Sequence, residues 1–183
     1  NTLYGGDRAG SRYYLAGESQ YYMSGATLTA ATPTNKAFSG RIDPGFSSNL
    51  MSIMINPFVK FHGLEVFGTY EMSSGSAGLS NVLDSVDRSF SQISGSVVYR
   101  FLAEEQCYVG VRYNTVTGRL YGYTDDDGDV NVNRLQVAAG WFPTENLLLK
   151  LEYVDQKYDN FKTTDVRNGL EFKGVMVEAS VGF

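Results

Sequence analysis

The chain has 183 residues, 43% of them hydrophobic, and a formal net charge of -5. That length suits one domain, residues 1–183. The acidic balance leaves no basic face for nucleic acid, and a single cysteine, Cys107, excludes an internal disulfide framework or a zinc ribbon.

No stretch approaches ~18 consecutive apolar residues, so no transmembrane helix is expected. A membrane β-barrel is not excluded, because its strands need apolar residues only at alternate positions. The 13 Tyr, 11 Phe and 20 Gly fit strands and their turns. The chain opens at Asn1 without a signal peptide, which implies a removed signal or a longer polypeptide.

Taken in chain order, a weak alternation near Arg12 to Met23 suggests a first strand. Seven clear sets follow. Ile53, Ile55, Pro57, Val59 and Phe61 share one parity, opposite Met54, Asn56, Phe58 and Lys60. After His62 and Gly63, Leu64, Val66, Gly68, Tyr70 and Met72 alternate with Glu65, Phe67, Thr69 and Glu71. Ile93, Gly95, Val97, Tyr99 and Phe101 alternate with Gln92, Ser94, Ser96, Val98 and Arg100. Cys107, Val109, Val111 and Tyr113 alternate with Tyr108, Gly110, Arg112 and Asn114. Leu135, Val137, Ala139 and Trp141 alternate with Arg134, Gln136, Ala138 and Gly140. Leu147, Leu149, Leu151 and Tyr153 alternate with Leu148, Lys150, Glu152 and Val154. The chain stops on VMVEASVGF, where Val175, Val177, Ala179, Val181 and Phe183 face away from Met176, Glu178, Ser180 and Gly182.

Period-2 alternation in so many segments predicts antiparallel strands with one apolar face. In a soluble sandwich, the alternative, that face points to a dry core. In an outer-membrane barrel it points to lipid. Three features favour lipid. The apolar parity carries no charge in any of the seven sets. The other parity mixes charges with Phe58, Phe67, Tyr108 and glycines, as in a crowded lumen. Aromatics mark the strand ends: Phe61, Tyr70, Tyr99, Phe101, Tyr113, Trp141, Tyr153 and Phe183.

The connections alternate too. Residues 24–49, 73–88, 121–129 and 158–168 are long, whereas 62–63, 103–106 and 143–146 are short. Short periplasmic turns and long extracellular loops are expected of an outer-membrane barrel. The fold class expected is therefore all-β, an antiparallel up-and-down transmembrane β-barrel with about eight strands in this chain. Closure is required because unpaired backbone groups in hydrocarbon cost several kcal/mol each.

The terminal strand ending in Phe183 resembles the assembly signal read by the barrel-assembly machinery of the outer membrane. The stretches FSGRIDPGFSSNLMSIMINPFVKFHGLEVFGTYE, YVGVRYNTVTGRLYG, GWFPTENLLLKLEYVDQKYDNF and NGLEFKGVMVEASVGF resemble the C-terminal part of porin-like outer-membrane proteins of Bacteroidetes, across residues 38–183. The resemblance implies a bacterial outer-membrane location and contact with lipid and lipopolysaccharide. Other outer-membrane proteins are further possible partners. Members of that group are longer, so the resemblance implies a larger barrel of which this chain is the C-terminal half. It supplies no catalytic residues.

Candidate sites follow from the non-lipid parity. Lys60, Arg100, Arg112, Arg134 and Lys150 nearly balance Glu65, Glu71, Glu152 and Glu178. They line a channel without strong ion selectivity, or they neutralise one another as a structural network. If Phe61 faces Leu64 across the turn, register pairs Lys60 with Glu65, Phe58 with Phe67, and Met54 with Glu71. In YTDDDGDVNVN, the oxygens of Asp125, Asp127, Asp129 and Asn131 suit calcium. The competing reading is an acidic hairpin tip built on Asp-Gly turn chemistry. The sole His62 is expected in a periplasmic turn, far from the outer rim, so Ser–His catalysis lacks a base and no enzyme is expected. Cys107 reads as a small lipid-side hydrophobe. The first loop, GATLTAATPTNKAFSGRIDPGF, either folds into the lumen or contacts another protein. The expected function is passive passage of small hydrophilic solutes. The alternative is a non-conducting barrel docked in an outer-membrane complex.

Overall fold

The computed structural model describes residues 21–24, 27–30, 42, 44, 46, 48–76, 87–120, 122–165 and 167–182. The expectations for Phe183 and for a strand starting at Arg12 fall outside them. Among the described residues there are strands and two single 3-10 turns, with no α-helix. The strands are β1 (Tyr21–Ser24), β2 (Thr27–Ala30), β3 (Ser48–Ile55), β4 (Phe58–Phe61), β5 (Leu64–Ser76), β6 (Arg88–Phe101), β7 (Cys107–Gly118), β8 (Val130–Thr144), β9 (Leu147–Asp159) and β10 (Glu171–Val181).

Eight of them form one antiparallel up-and-down sheet in the order β10-β9-β8-β7-β6-β5, with β3 and β4 both paired to the far side of β5. Among the described residues no ladder joins β3 to β10, so the sheet is open. The first expected strand differs: its described part, β1, pairs with β2 and not with the large sheet. The run from Ile53 to Phe61, read as one strand, is two. Pro57 has no N–H to give the ladder, so β3 ends at Ile55 and β4 begins at Phe58. The Pro57 carbonyl still accepts from Gly68 N at 2.9 Å, which keeps both pieces in line.

The expected register across the tight turn is present. Phe61 pairs with Leu64, Lys60 with Glu65, Phe58 with Phe67 and Met54 with Glu71. His62 and Gly63 take φ of 46° and 77°, the left-handed pair that a two-residue hairpin needs. A Cβ on Gly63 would stand 2.5 Å from the Arg100 carbonyl oxygen, so glycine is also demanded by the next strand.

Short connections (62–63, 102–106, 145–146) gather at one end of the sheet, here the turn end. The other end, the loop end, carries the β5–β6, β7–β8 and β9–β10 connections.

Burial is inside-out over the turn-end part of each strand. Val66, Val97, Val109, Val137, Leu151 and Val177 are exposed, Val177 at 81%. Polar neighbours of opposite parity are sunk: Ser94, Asn114 and Gln156 are buried, and Glu152 is 5% exposed. Among the described residues, Ile42, Pro44 and Phe46 and the loop-end segments lie against that sheltered side, called the concave face below.

Toward the loop end the pattern inverts, which the sequence reading missed. The strands run four or five residues further than expected there. Val116, Val130, Val132, Tyr158 and Phe90 turn inward and are buried. On the outer parity stand Thr115, Thr117, Asn131, Asn133, Lys157 and Asp159. Phe161, Leu120 and Ile42 complete a dry core, with Phe46, Tyr123 and Leu170 packed against it. Burying one such side chain contributes ~1.5–3 kcal/mol.

Candidate functional site

The nine charged residues predicted for the lumen all lie on the concave parity of their strands, in three groups and one singleton. Near the turn end, Lys60 Nζ stands 3.2 Å from Glu65 Oε1, and Arg100 Nε donates to the same oxygen at 3.0 Å. The cross-strand register places them together, since Glu65 pairs with Lys60 on one side and with Val98 on the other, which makes Arg100 its diagonal neighbour. Lys60 also reaches Glu105 in the 102–106 turn at 3.4 Å. The Arg100 guanidinium lies 5.6 Å over the Tyr108 ring.

A second group joins β8, β9 and β10. Lys150 Nζ stands 2.6 Å from Glu152 Oε2 and 3.6 Å from Glu178 Oε2. Gln136 Nε2 donates to Glu152 Oε1 at 2.6 Å. A buried carboxylate is tolerable only with such partners.

Between these groups lies a layer of amides. Arg112 Nε donates to Asn114 Oδ1 at 3.2 Å, Asn114 Nδ2 to Gln136 Oε1 at 3.5 Å, and Arg134 Nη1 to Gln156 Oε1 at 3.3 Å. Glu71 accepts from Ser52 Oγ at 3.2 Å and is apart from the other eight.

Residues of the first loop reach this face. Ile42 and Pro44 are buried, Phe46 meets Phe90 edge-on at 6.1 Å, and Arg88 Nη1 donates to the Pro44 carbonyl at 3.0 Å. Over these residues the loop lies inside the sheet's concavity. Neither Arg88 nor this contact was among the sequence-derived candidates. The signal available was Phe90, apolar on a parity that is otherwise polar from Arg88 to Ser96.

The four calcium candidates are not gathered on one point. Arg119 binds Asp125 and holds Asp129 at 3.2 Å. Asp127 faces elsewhere: it accepts from the Thr124 N–H at 2.7 Å and the Thr124 hydroxyl at 2.8 Å, and meets Lys162 at 2.9 Å. Those contacts lower its pKa to about 2, the Thr124 backbone N–H contributing most. Asn131 lies in β8 and donates to Thr117 Oγ1 on the outer parity. Among the described residues no group of three or more His, Cys, Asp or Glu could hold a metal ion. The acidic tip is thus neutralised by two cations, not set out as a coordination sphere.

The same loop is tied to its neighbour. Tyr123 Oη donates to Asp165 Oδ2 and accepts from Lys162 N, both at 3.2 Å, and Lys162 Nζ lies 4.6 Å over the Tyr123 ring. Burial raises the Tyr123 pKa. At the opposite end, His62 is exposed and packs against Phe61 at 4.1 Å. Cys107 is half-buried on the outer parity, opposite Phe101 and Trp141.

No protein-family model matches the chain, and neither a curated protein nor a solved structure does.

Proposed function

We propose that this sheet is part of the wall of a β-barrel in a bacterial outer membrane. Its role there is a porin-like path for small hydrophilic solutes along the concave face. One observation carries the reading: the exposed parity is apolar from the turn end up to Tyr113 and Tyr153, then polar beyond. A soluble sandwich would be dry inside along its whole length. In β6 the exposed apolar stretch runs from Ile93 to Phe101. At ~3.3 Å per residue and a tilt of about 40°, that rises roughly 20 Å, close to the ~25 Å band of such barrels.

The reading makes lipid and lipopolysaccharide the partners of the outer face and gives the chain no catalytic role. Closure of the barrel requires β3 and β10 to find strand partners, because open edges are not tolerated in hydrocarbon. Planar-bilayer conductance of the full-length protein tests the channel: stepwise currents are expected, and silence would remove the porin role.

A second reading is favoured by the dry core at the loop end and by buried Glu152 and Gln156. Side chains that fill the concavity suit a narrow, non-conducting barrel that docks other outer-membrane proteins. It predicts a folded, membrane-inserted, silent protein that co-purifies with partners.

A further inference from the structure

The nine charges nearly cancel by count, yet their accessibility is unequal. Glu71 and Glu152 are buried. Glu65 is spanned by Lys60 and Arg100, while Glu152 and Glu178 share Lys150. Arg112 differs. Among the described residues its side chain makes one hydrogen bond, to the neutral Asn114 Oδ1, and no carboxylate lies within ion-pair distance of it. It is half-exposed, midway along β7.

The register explains the room around it. Arg112 pairs with Ser96 on β6 and Gln136 on β8, and the next concave positions toward the turn end are Gly110 and Ala138. On the β6 side the paired neighbour is the small Ser96, and Arg112 stays part-exposed. Arg134 follows diagonally, paired with Asn114, so its backbone position lies about 7–8 Å away along the sheet, with its guanidinium donating to Gln156. Guanidinium N–H groups match the two oxygens of a carboxylate or phosphate in a planar fork.

We propose that Arg112, with Arg134 beside it, is an oxyanion-contact site on the concave wall, so that solutes bearing carboxylate or phosphate are preferred. The proposal rests on the channel reading and gives it a charge preference that the residue count alone does not. Glu71 and Glu152 are screened from a passing solute, Glu178 is exposed but lies nearer the turn end, and the charge midway along β7 is positive.

The test uses the full-length protein in planar bilayers under a KCl gradient. The reversal potential should lie on the chloride side. Arg112→Gln should shift it toward potassium, and Arg112→Lys should keep its sign. Inorganic phosphate should reduce the chloride current of the wild type more than acetate does, and leave that of Arg112→Gln unchanged. Equal inhibition by acetate would point to carboxylates as well as phosphates. Heat-modifiable gel mobility reports whether each variant folds, and the wild-type reversal potential decides the matter even where Arg112→Gln does not fold. Absence of any current overturns the channel reading and this site with it. Current that favours potassium in the wild type, or phosphate inhibition equal in wild type and Arg112→Gln, overturns the oxyanion site alone.

Discussion

The Tyr113 hydroxyl donates to Asn133 Oδ1 at 2.9 Å on the outer face of the sheet. Tyr113 pairs with Leu135, so its ring lies beside an exposed apolar residue while its oxygen reaches one step further, toward Asn133. Thr115, Asn131 and Thr117 continue the polar ladder beyond it. An amphipathic ring with a wet tip is what an apolar–aqueous boundary selects. The level of Tyr113 is therefore where the apolar and polar parts of the outer face meet.

Below that level, charge on the exposed parity should be costly. Val177→Arg is expected to lose ~2–4 kcal/mol or to block assembly if the site lies near the bilayer midplane. Met176→Arg, one residue away on the concave side, should be tolerated better. Heat-modifiable mobility after folding into lipid compares the two, and equal effects would contradict the assignment of faces.

Above that level the rule should reverse. Val116 is fully buried in the dry core, and Thr117 faces outward. Val116→Asp should abolish folding or lower stability by several kcal/mol, since an unpaired charge would enter an apolar site. Thr117→Asp should change stability by less than about 0.5 kcal/mol. Urea titration in lipid measures both, and an intolerant Thr117 would place the boundary higher than Tyr113.

Phe46 packs on Phe90 and Arg88 donates to the Pro44 carbonyl, holding these residues against the inward side of the sheet. Phe46→Ala should loosen residues 42–46 and enlarge single-channel conductance if the channel role holds. Unchanged conductance with intact folding would mean that this segment does not narrow the path.

The Asp127 contacts give a pH signature at the loop end. Its folded pKa, about 2, lies below the ordinary 3.8. The carboxylate's contribution is thus complete above 3.8 and lost as pH falls through about 2. Hydrogen exchange at the Thr124 N–H should stay slow down to that range and then accelerate. Asp127→Asn should remove the acid step, and a step that survives would assign it to another group.

Much of this was legible in the residues. The strands, the alternating connections and the Lys60–Glu65 register follow from period-2 spacing and from a two-residue turn with Gly63. The inversion was not, because Val116, Val130, Val132 and Tyr158 break the parity of the strands that contain them. Reading each strand as a single pattern ended it where the pattern changed. Pro57 hid a break inside one apolar run, since spacing does not record a missing donor. The pairing of charges was visible in outline, but which carboxylates are sunk and which arginine is reachable depends on concavity, and that is set by all the strands together.

Four of the outward charges on β9 and β10 have a mechanical corollary. Lys173 stands 3.1 Å from Glu171 and 4.0 Å from Asp155, and Lys157 stands 3.5 Å from Glu171. They begin one alternate step beyond Tyr153 and Val175. For a wall inserted as proposed, sinking by a single pleat would drag this ionic quartet among acyl chains, and rising by one would bare Val175 to water. The wall therefore has one resting height, written into two adjacent strands.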